Sequence, residues 1–281
     1  MEKIFKTISD KIKSQKHYSF MIWKDGEQFP ILPYPIRMQF FGIYISLSGR
    51  IDGEINLEPA CIDNTHIQVY TYRHIIRVIK RSDDFRCIGF VFPHEYWEKL
   101  MIETHKYNPV TRIIPCLEVT ESQRQKLIGL YNIIRSHMEE DPNGYNSDIV
   151  NHLMLSFFFE IGAIYRSKIK TEVSSNTMEQ KVSDFLELIY KNFKIHRDVA
   201  FYADKLNLSQ RYFTTMVKKI TGKSALRWIE RYVVLEAQIL LKSSDLSIKE
   251  IATELNFEDP SFFCKYFKRV CGSTPEQYRN E

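Results

Sequence analysis

The stretches ADKLNLSQRYFTTMVKKITGKS (residues 203–224) and ATELNFEDPSFFCKYFKRVCGST (residues 252–274) read as two copies of one structural unit. Ala203 matches Ala252, Leu206 matches Leu255 and Asn207 matches Asn256; beyond the turn, Phe213 matches Phe263, Lys218 matches Lys268, Gly222 matches Gly272 and Ser224 matches Thr274. The offset grows by one residue at the turn, so a single insertion there reconciles both registers, as expected of a duplicated unit. Each copy spells helix, tight turn, helix. In the first, Asp198 caps a helix through Leu206, Asn207-Leu208 turns, Ser209 caps the next helix and Gly222 stands where a helix ends in a left-handed residue. In the second, Ser247 caps a helix through Leu255, Asp259 caps the next with Pro260 in its first turn, and Gly272 closes it.

The second helix of each copy, 209–221 and 259–271, carries two faces. Phe213, Met216, Val217 and Ile220, and in the other copy Phe263, Tyr266, Phe267 and Val270, recur at core spacing. The opposite faces hold Arg211, Thr214, Thr215 and Lys218, then Ser261, Cys264, Lys265 and Lys268, with Lys219 and Arg269 extending the positive edge. Neither face contains an acid. A merely solvated helix face mixes charge signs, whereas donors and small polar groups without carboxylates suit a surface that meets phosphates and base edges. Between the copies, residues 224–242 read as one helix with Leu226, Ile229, Val233, Ala237 and Leu240 inward. At 1.5 Å per residue it spans about 28 Å, against about 34 Å between successive major-groove segments, the shortfall falling to tilt or DNA bending.

These residues resemble the AraC/XylS family of bacterial transcription regulators over residues 178–279. The likeness rests on Ala203-x-x-Leu206-Asn207-Leu208-Ser209, Lys218-Lys219-x-x-Gly222-Lys223-Ser224, Glu236-Ala237-x-x-Leu240-Leu241, Ser247-Ile248-x-x-Ile251-Ala252, Phe262-Phe263-x-x-x-Phe267-Lys268 and Gly272-x-Thr274-Pro275-x-x-Tyr278-Arg279. It implies two helix-turn-helix motifs on one chain, with DNA contacts at Ser209, Gln210, Arg211, Thr214, Thr215, Lys218 and Lys219 in the first and at Pro260, Ser261, Cys264, Lys265 and Lys268 in the second. Asn256 stands where the family usually has glycine, and Asn tolerates the left-handed conformation the turn needs. Pro260 offers no side-chain donor, so the second motif is expected to lean on phosphate contacts from Lys265 and Lys268.

Working back toward the amino terminus, residues 167–177 are polar and aperiodic and are assigned as a linker. Before them, Thr120-Glu121-Ser122-Gln123 has the form of a capping box, and Leu127, Tyr131, Ile134 and Met138 follow at helical spacing. A second helix follows Asp141-Pro142-Asn143-Gly144, with Ile149, Leu153, Phe157, Ile161 and Ile164 on one stripe and Val150, Met154 and Phe158 beside it. Together these helices carry more apolar surface than a short sheet is expected to cover, so Leu127, Tyr131, Ile134 and Met138 are the expected dimer contacts. From residue 38 to residue 92, after Tyr18 and before Pro109, short β-branched and aromatic runs (40–47, 51–57, 67–72, 75–79, 87–92) suggest a small sandwich or barrel covered on both faces. The expected fold class is α+β in two domains: residues 1–166, which the resemblance makes a cupin-like effector and dimerisation domain, and residues 178–281, all-α and DNA-binding.

The chain has 281 residues, 44% hydrophobic and 26% charged, which is globular composition and excludes a disordered or collagen-like chain. Its net charge is +4, and Lys and Arg outnumber Asp and Glu 17 to 14 from residue 178 onward, a mild bias that leaves charge placement to decide the function. The first 20 residues lack the apolar core of a signal peptide, and residues 149–165 are interrupted by Asn151, His152 and Glu160, so a cytoplasmic protein with no membrane partner is expected. Cys61, Cys87, Cys116, Cys264 and Cys271 are odd in number and form no Cys-x-x-Cys, which fits reduced thiols. No catalytic residue, metal ligand or cofactor is expected: His66, His74 and His94 lack the spacing of a cupin metal site, and Asp83-Asp84 reads as a hairpin turn. The expected partners are double-stranded DNA, RNA polymerase, an unidentified small-molecule effector and a second copy of the chain. Two other readings remain open at this point, a cupin-type metal-dependent enzyme and a protein-interaction module with degenerate helix-turn-helix units.

Overall fold

The computed structural model describes residues 10, 12, 20–27, 31–32, 34–72, 74–93, 95–96, 115–141, 144–168 and 175–280. Tyr18, His94, Pro109, Pro142-Asn143 of the expected turn and residues 169–174 of the expected linker lie outside the described residues. The amino-terminal half is built from antiparallel strands: β1 (Met21–Trp23), β2 (Ile36–Arg37), β3 (Phe41–Ser48), β4 (Arg50–Ile55), β5 (Glu58–Asp63), β6 (His66–Tyr70), β7 (Ile75–Arg81), β8 (Arg86–Phe92) and β9 (Cys116–Glu118). They form a five-stranded sheet in the order β1-β8-β3-β6-β9 and a four-stranded sheet in the order β2-β7-β4-β5.

Period-two alternation places the two faces of the larger sheet. In β3, Tyr44 joins the cluster between the sheets with Met21, Ile51, Tyr70 and Ile76, while Ile43 and Ile45 join the cluster on the other side with Ile67, Val69 and Phe90. A cavity of about 20 Å³ lined by Ile51, Gln68, Tyr70 and Ile76 lies beside the cluster between the sheets, room for about one water. The strand β5 falls outside the sequence-derived strands because Pro59 and its acidic neighbours break the pattern. It forms at a sheet edge, where the missing proline N–H needs no partner.

The second cluster is closed by α1 (Glu121–Glu140) and α2 (Ser147–Lys168). The capping box at the start of α1 is present: Gln123 N donates to Thr120 Oγ1 at 3.2 Å and Thr120 N to Gln123 Oε1 at 2.9 Å. The expected dimer contacts require correction. Leu127, Tyr131 and Ile134 are 0%, 1% and 0% exposed because they face the larger sheet, and Met138 packs partly buried beside them. Tyr131 further ties α1 to β1, its Oη donating to Trp23 O at 3.0 Å. In α2, Phe157, Ile161 and Ile164 of the expected stripe are buried together with Val150, Met154 and Phe158 beside it, while Leu153 is half-buried and Ile149 is exposed. This helix is long and apolar enough to cross a membrane, but its apolar stripe is covered by the sheet.

The carboxy-terminal half is helical: α3 (Ser175–Asn192), α4 (Val199–Lys205), α5 (Gln210–Thr221), α6 (Ala225–Ser243), α7 (Ile248–Glu254), α8 (Pro260–Cys271) and α9 (Pro275–Asn280). One core joins Phe185, Tyr202, Phe213, Ile229, Val233, Ile251, Phe263 and Phe267. Helix α2 continues to Lys168 and α3 begins at Ser175, so helix enters both ends of the polar stretch 167–177.

Candidate nucleic-acid interface

The two helix–turn–helix units are built by the same local chemistry. Ser209 Oγ accepts from Tyr212 N at the start of α5, and Asp259 Oδ1 accepts from Ser261 N at the start of α8, with Pro260 in the first turn. Each turn depends on an asparagine in the left-handed region, Asn207 at φ 55° and Asn256 at φ 57°. The turns are also closed alike, Leu208 N donating to Ala203 O at 3.0 Å and Phe257 N to Ala252 O at 2.8 Å. Gly222 and Gly272 end the second helices at φ 73° and 91°, a conformation that a side chain resists. Arg197 pins the second turn: its guanidinium lies 3.8 Å from the Phe257 ring centroid and donates to the Lys194, Leu255 and Asn256 carbonyls.

Inward, Phe213, Met216 and Val217 of α5 and Phe263 and Phe267 of α8 are buried, while Ile220, Tyr266 and Val270 are half-buried beside them. Outward, Ser209, Gln210, Arg211, Thr215, Lys218 and Lys219 are exposed and Thr214 is half-buried. In α8, Ser261, Lys265 and Lys268 are exposed, and Pro260 and Cys264 are half-buried. Among the described residues, Arg211, Lys218, Lys219, Lys265 and Lys268 make no ion pair. The threonines donate inward, Thr214 Oγ1 to Gln210 O at 2.8 Å and Thr215 Oγ1 to Arg211 O at 2.9 Å. They therefore offer a ligand their lone pairs and methyl groups. Burial raises the Cys264 thiol, with Asp259 and Glu276 adding to the effect, so it stands here as a neutral weak donor.

Two expectations about this surface change. Arg269 does not extend the positive edge: it pairs with the buried Glu230 of α6 at 2.7 Å and stacks near Tyr266. Leu226 at the start of α6 points outward, 46% exposed, while Ile229, Val233 and Ala237 are buried as expected. Sequence reasoning also passed over Tyr212 and Phe262, equivalent positions on α5 and α8, which are 47% and 57% exposed at the edge of the polar faces. The signal that marks them is the duplication itself, an aromatic side chain in one register on both units.

The histidines weighed for metal binding lie elsewhere. His66 Nδ1 is 2.8 Å from Asp63, and His74 is buried, its Nδ1 accepting from Thr71 N at 2.9 Å. Among the described residues no group of three or more His, Cys, Asp or Glu side chains gathers in a way that could hold a metal.

Comparison with known proteins agrees with the geometry of the carboxy-terminal units. A family described as "Helix-turn-helix domain" matches residues 202–281. The regulatory protein PocR of Salmonella typhimurium (strain LT2) is 38% identical over 79 residues, 28% of this chain and 26% of that protein. The HTH-type transcriptional activator RhaR of Escherichia coli (strain K12) is 31% identical over 117 residues, 41% of this chain and 40% of that protein. Among solved structures, the DNA-binding domain of AdpA in complex with a target DNA is 30% identical, covering 36% of this chain and 90% of that one, with a TM-score of 0.33. ToxT from Vibrio cholerae O395 is 14% identical, covering 93% of this chain and 97% of that one, with a TM-score of 0.43. Residues 202–281 are thus a helix-turn-helix domain. The domain is of the AraC type. The chain spans from about a quarter to two fifths of the length of these curated relatives.

Proposed function

We propose that the chain is a sequence-specific DNA-binding transcription regulator of the AraC/XylS type, acting in the cytoplasm. The observation that carries this reading is the pair of exposed, acid-free helix faces on two duplicated units joined by one 19-residue helix, α6. Helices α5 and α8 are its recognition helices, entering successive major grooves. Arg211 reads base edges and Thr214 and Thr215 contact bases through methyl groups and lone pairs. Ser209, Gln210, Lys218 and Lys219, with Ser261, Lys265 and Lys268, meet phosphates; Pro260 and Cys264 pack against the groove wall.

Residues 178–281 are then the DNA-binding domain, 167–177 the linker, and 1–166 a cupin-like domain that senses an effector or dimerises. The cavity lined by Ile51, Gln68, Tyr70 and Ile76 admits about one water, so it holds no larger effector as it stands. A homodimer, if built on α1 and α2, uses their outer faces, where Ile133, Ile149 and Phe159 are exposed. RNA polymerase is the remaining partner of a regulator of this type. Duplex binding across a salt series tests the reading: affinity falls steeply with salt for phosphate-contacting proteins, and a chain that binds no duplex at low salt defeats it. Mapping of genomic binding sites then supplies the operator.

A further inference from the structure

The first turns of α5 and α8 each expose one large ring. Tyr212 is the third residue of α5 and Phe262 the third residue of α8, each one place before a buried phenylalanine, Phe213 or Phe263. They are 47% and 57% exposed. A single exposed apolar side chain needs no explanation. Here the same register is kept on both units although the outward positions around it differ, Arg211, Thr214 and Thr215 on α5 against Ser261, Cys264 and Lys265 on α8. Neither helix contains an acid, so a polyanion approaches both rings without repulsion from its own helix.

Phe262 is braced by its own unit. Its ring centroid lies 6.0 Å from that of the buried Phe257 and 6.4 Å from that of Tyr266. Those two rings are held in turn, Phe257 by the Arg197 guanidinium at 3.8 Å and Tyr266 by the Arg269 guanidinium at 5.2 Å. A side chain already braced on one side loses less freedom when the other side is covered, which lowers the cost of contact. Tyr212 is placed by the cap of α5, its N donating to Ser209 Oγ at 3.3 Å.

The position of the rings selects what covers them. A helix that enters the major groove meets base edges with its N-terminal residues. Of the groups displayed there, the hydrogen-bond donors and acceptors suit Arg211, the threonines and Lys265, and the one methyl group is C5 of thymine. Phe262 has no polar atom, so a hydrogen bond to phosphate is closed to it and apolar contact is what its ring offers.

We propose that Tyr212 and Phe262 are specificity residues that read thymine, each ring covering a C5 methyl group in the major groove. This rests on the DNA-binding reading above and adds to it the base that each unit favours; it also gives α8, whose Pro260 has no donor, a means of reading sequence. The full chain is used to enrich a duplex from a random-sequence pool, and that duplex is made twice, once with thymine and once with uracil, which lacks the C5 methyl. Affinities of the wild type and of Tyr212→Ala combined with Phe262→Ala are measured for both duplexes by fluorescence anisotropy. Covering one methyl group is worth about fourfold in affinity, so the wild type is expected to favour the thymine duplex by at least about fourfold and the double variant by less than about twofold. The double variant is expected to bind the uracil duplex about as well as the wild type does. A merely structural role for the rings weakens both duplexes alike and leaves the thymine-to-uracil ratio intact, and that result overturns the proposal, as does a wild type indifferent to the methyl group. If the wild-type chain enriches no sequence, the sequence-specific reading falls and the proposal falls with it. Phe262→Ala loosens the ring cluster with Phe257 and Tyr266, so Tyr212→Ala alone carries the test should the double variant not fold: a reduced ratio supports the proposal and an unchanged one overturns it.

Discussion

At the scale of single residues, the helix ends were legible because they are decided within one turn of chain. Ser209, Asp259, Ser247, Gly222 and Gly272 each act on backbone groups at most four residues away, so sequence spacing contains the geometry. Arg269 was illegible for the opposite reason: its partner Glu230 sits on another helix, and nothing in the local pattern of α8 marks one cation as engaged and its neighbour Lys268 as free. The distinction is testable. Arg211→Ala is expected to weaken binding to the preferred operator by about 1 to 3 kcal/mol and to relax base preference at one position. Lys268→Ala is expected to weaken all duplexes nearly alike and to lower the salt slope by about one unit, whereas Arg269→Ala leaves the slope unchanged and lowers thermal stability. Salt-dependent anisotropy and a melting curve separate the three, and a slope lowered equally by Arg269→Ala would return that residue to the interface.

Elements were legible wherever their partner did not matter. The period of α1 announces a helix and its apolar stripe, yet the stripe is the same whether a sheet or a second subunit covers it. The sheet covers it, since Leu127, Tyr131 and Ile134 face Phe90 and its neighbours. The missed strand β5 shows the same limit, because an edge strand tolerates Pro59 only when a neighbouring strand defines it as the edge. Leu127→Ala is therefore expected to cost about 2 to 5 kcal/mol in a denaturant titration with no change in oligomeric state. Ile133→Glu, on the outer face, is expected to leave the midpoint within about 0.5 kcal/mol and, if α1 mediates association, to yield monomers in sedimentation. Loss of association without loss of stability in Leu127→Ala would contradict this assignment.

For the whole molecule, the division into a strand-rich front and a helical back was readable from the change of hydrophobic period, while the contacts between the halves were not. Glu58 and Arg37 are ordinary residues in their own strands, and they and the turn residue Leu57 acquire their roles only from the helical half. Burial alone would raise the Glu58 carboxyl, but the hydrogen bond from Lys223 and the charges of Arg231 and Arg227 outweigh it and hold the group below its usual value of 4.5. A carboxylate whose folded value is depressed stabilises the fold above its unfolded value and loses that contribution as pH falls through the folded one. The stability difference between wild type and Glu58→Gln should therefore be constant near neutrality and shrink below pH 4.5, followed by chemical denaturation at each pH. A difference that persists in acid would mean that the contact is held by shape rather than charge.

Helices α5 and α8 follow one another on a single chain, yet they present different residues, Arg211, Thr214 and Thr215 on α5 against Ser261, Cys264 and Lys265 on α8. On the proposed DNA-binding reading, the unit that meets the duplex consequently has a head and a tail. One copy then suffices to distinguish a site from its reverse complement, without the inverted repeat that a symmetric pair of identical readers requires. Bound beside a gene, such a chain points along the DNA, and turning its site around turns the protein around with it.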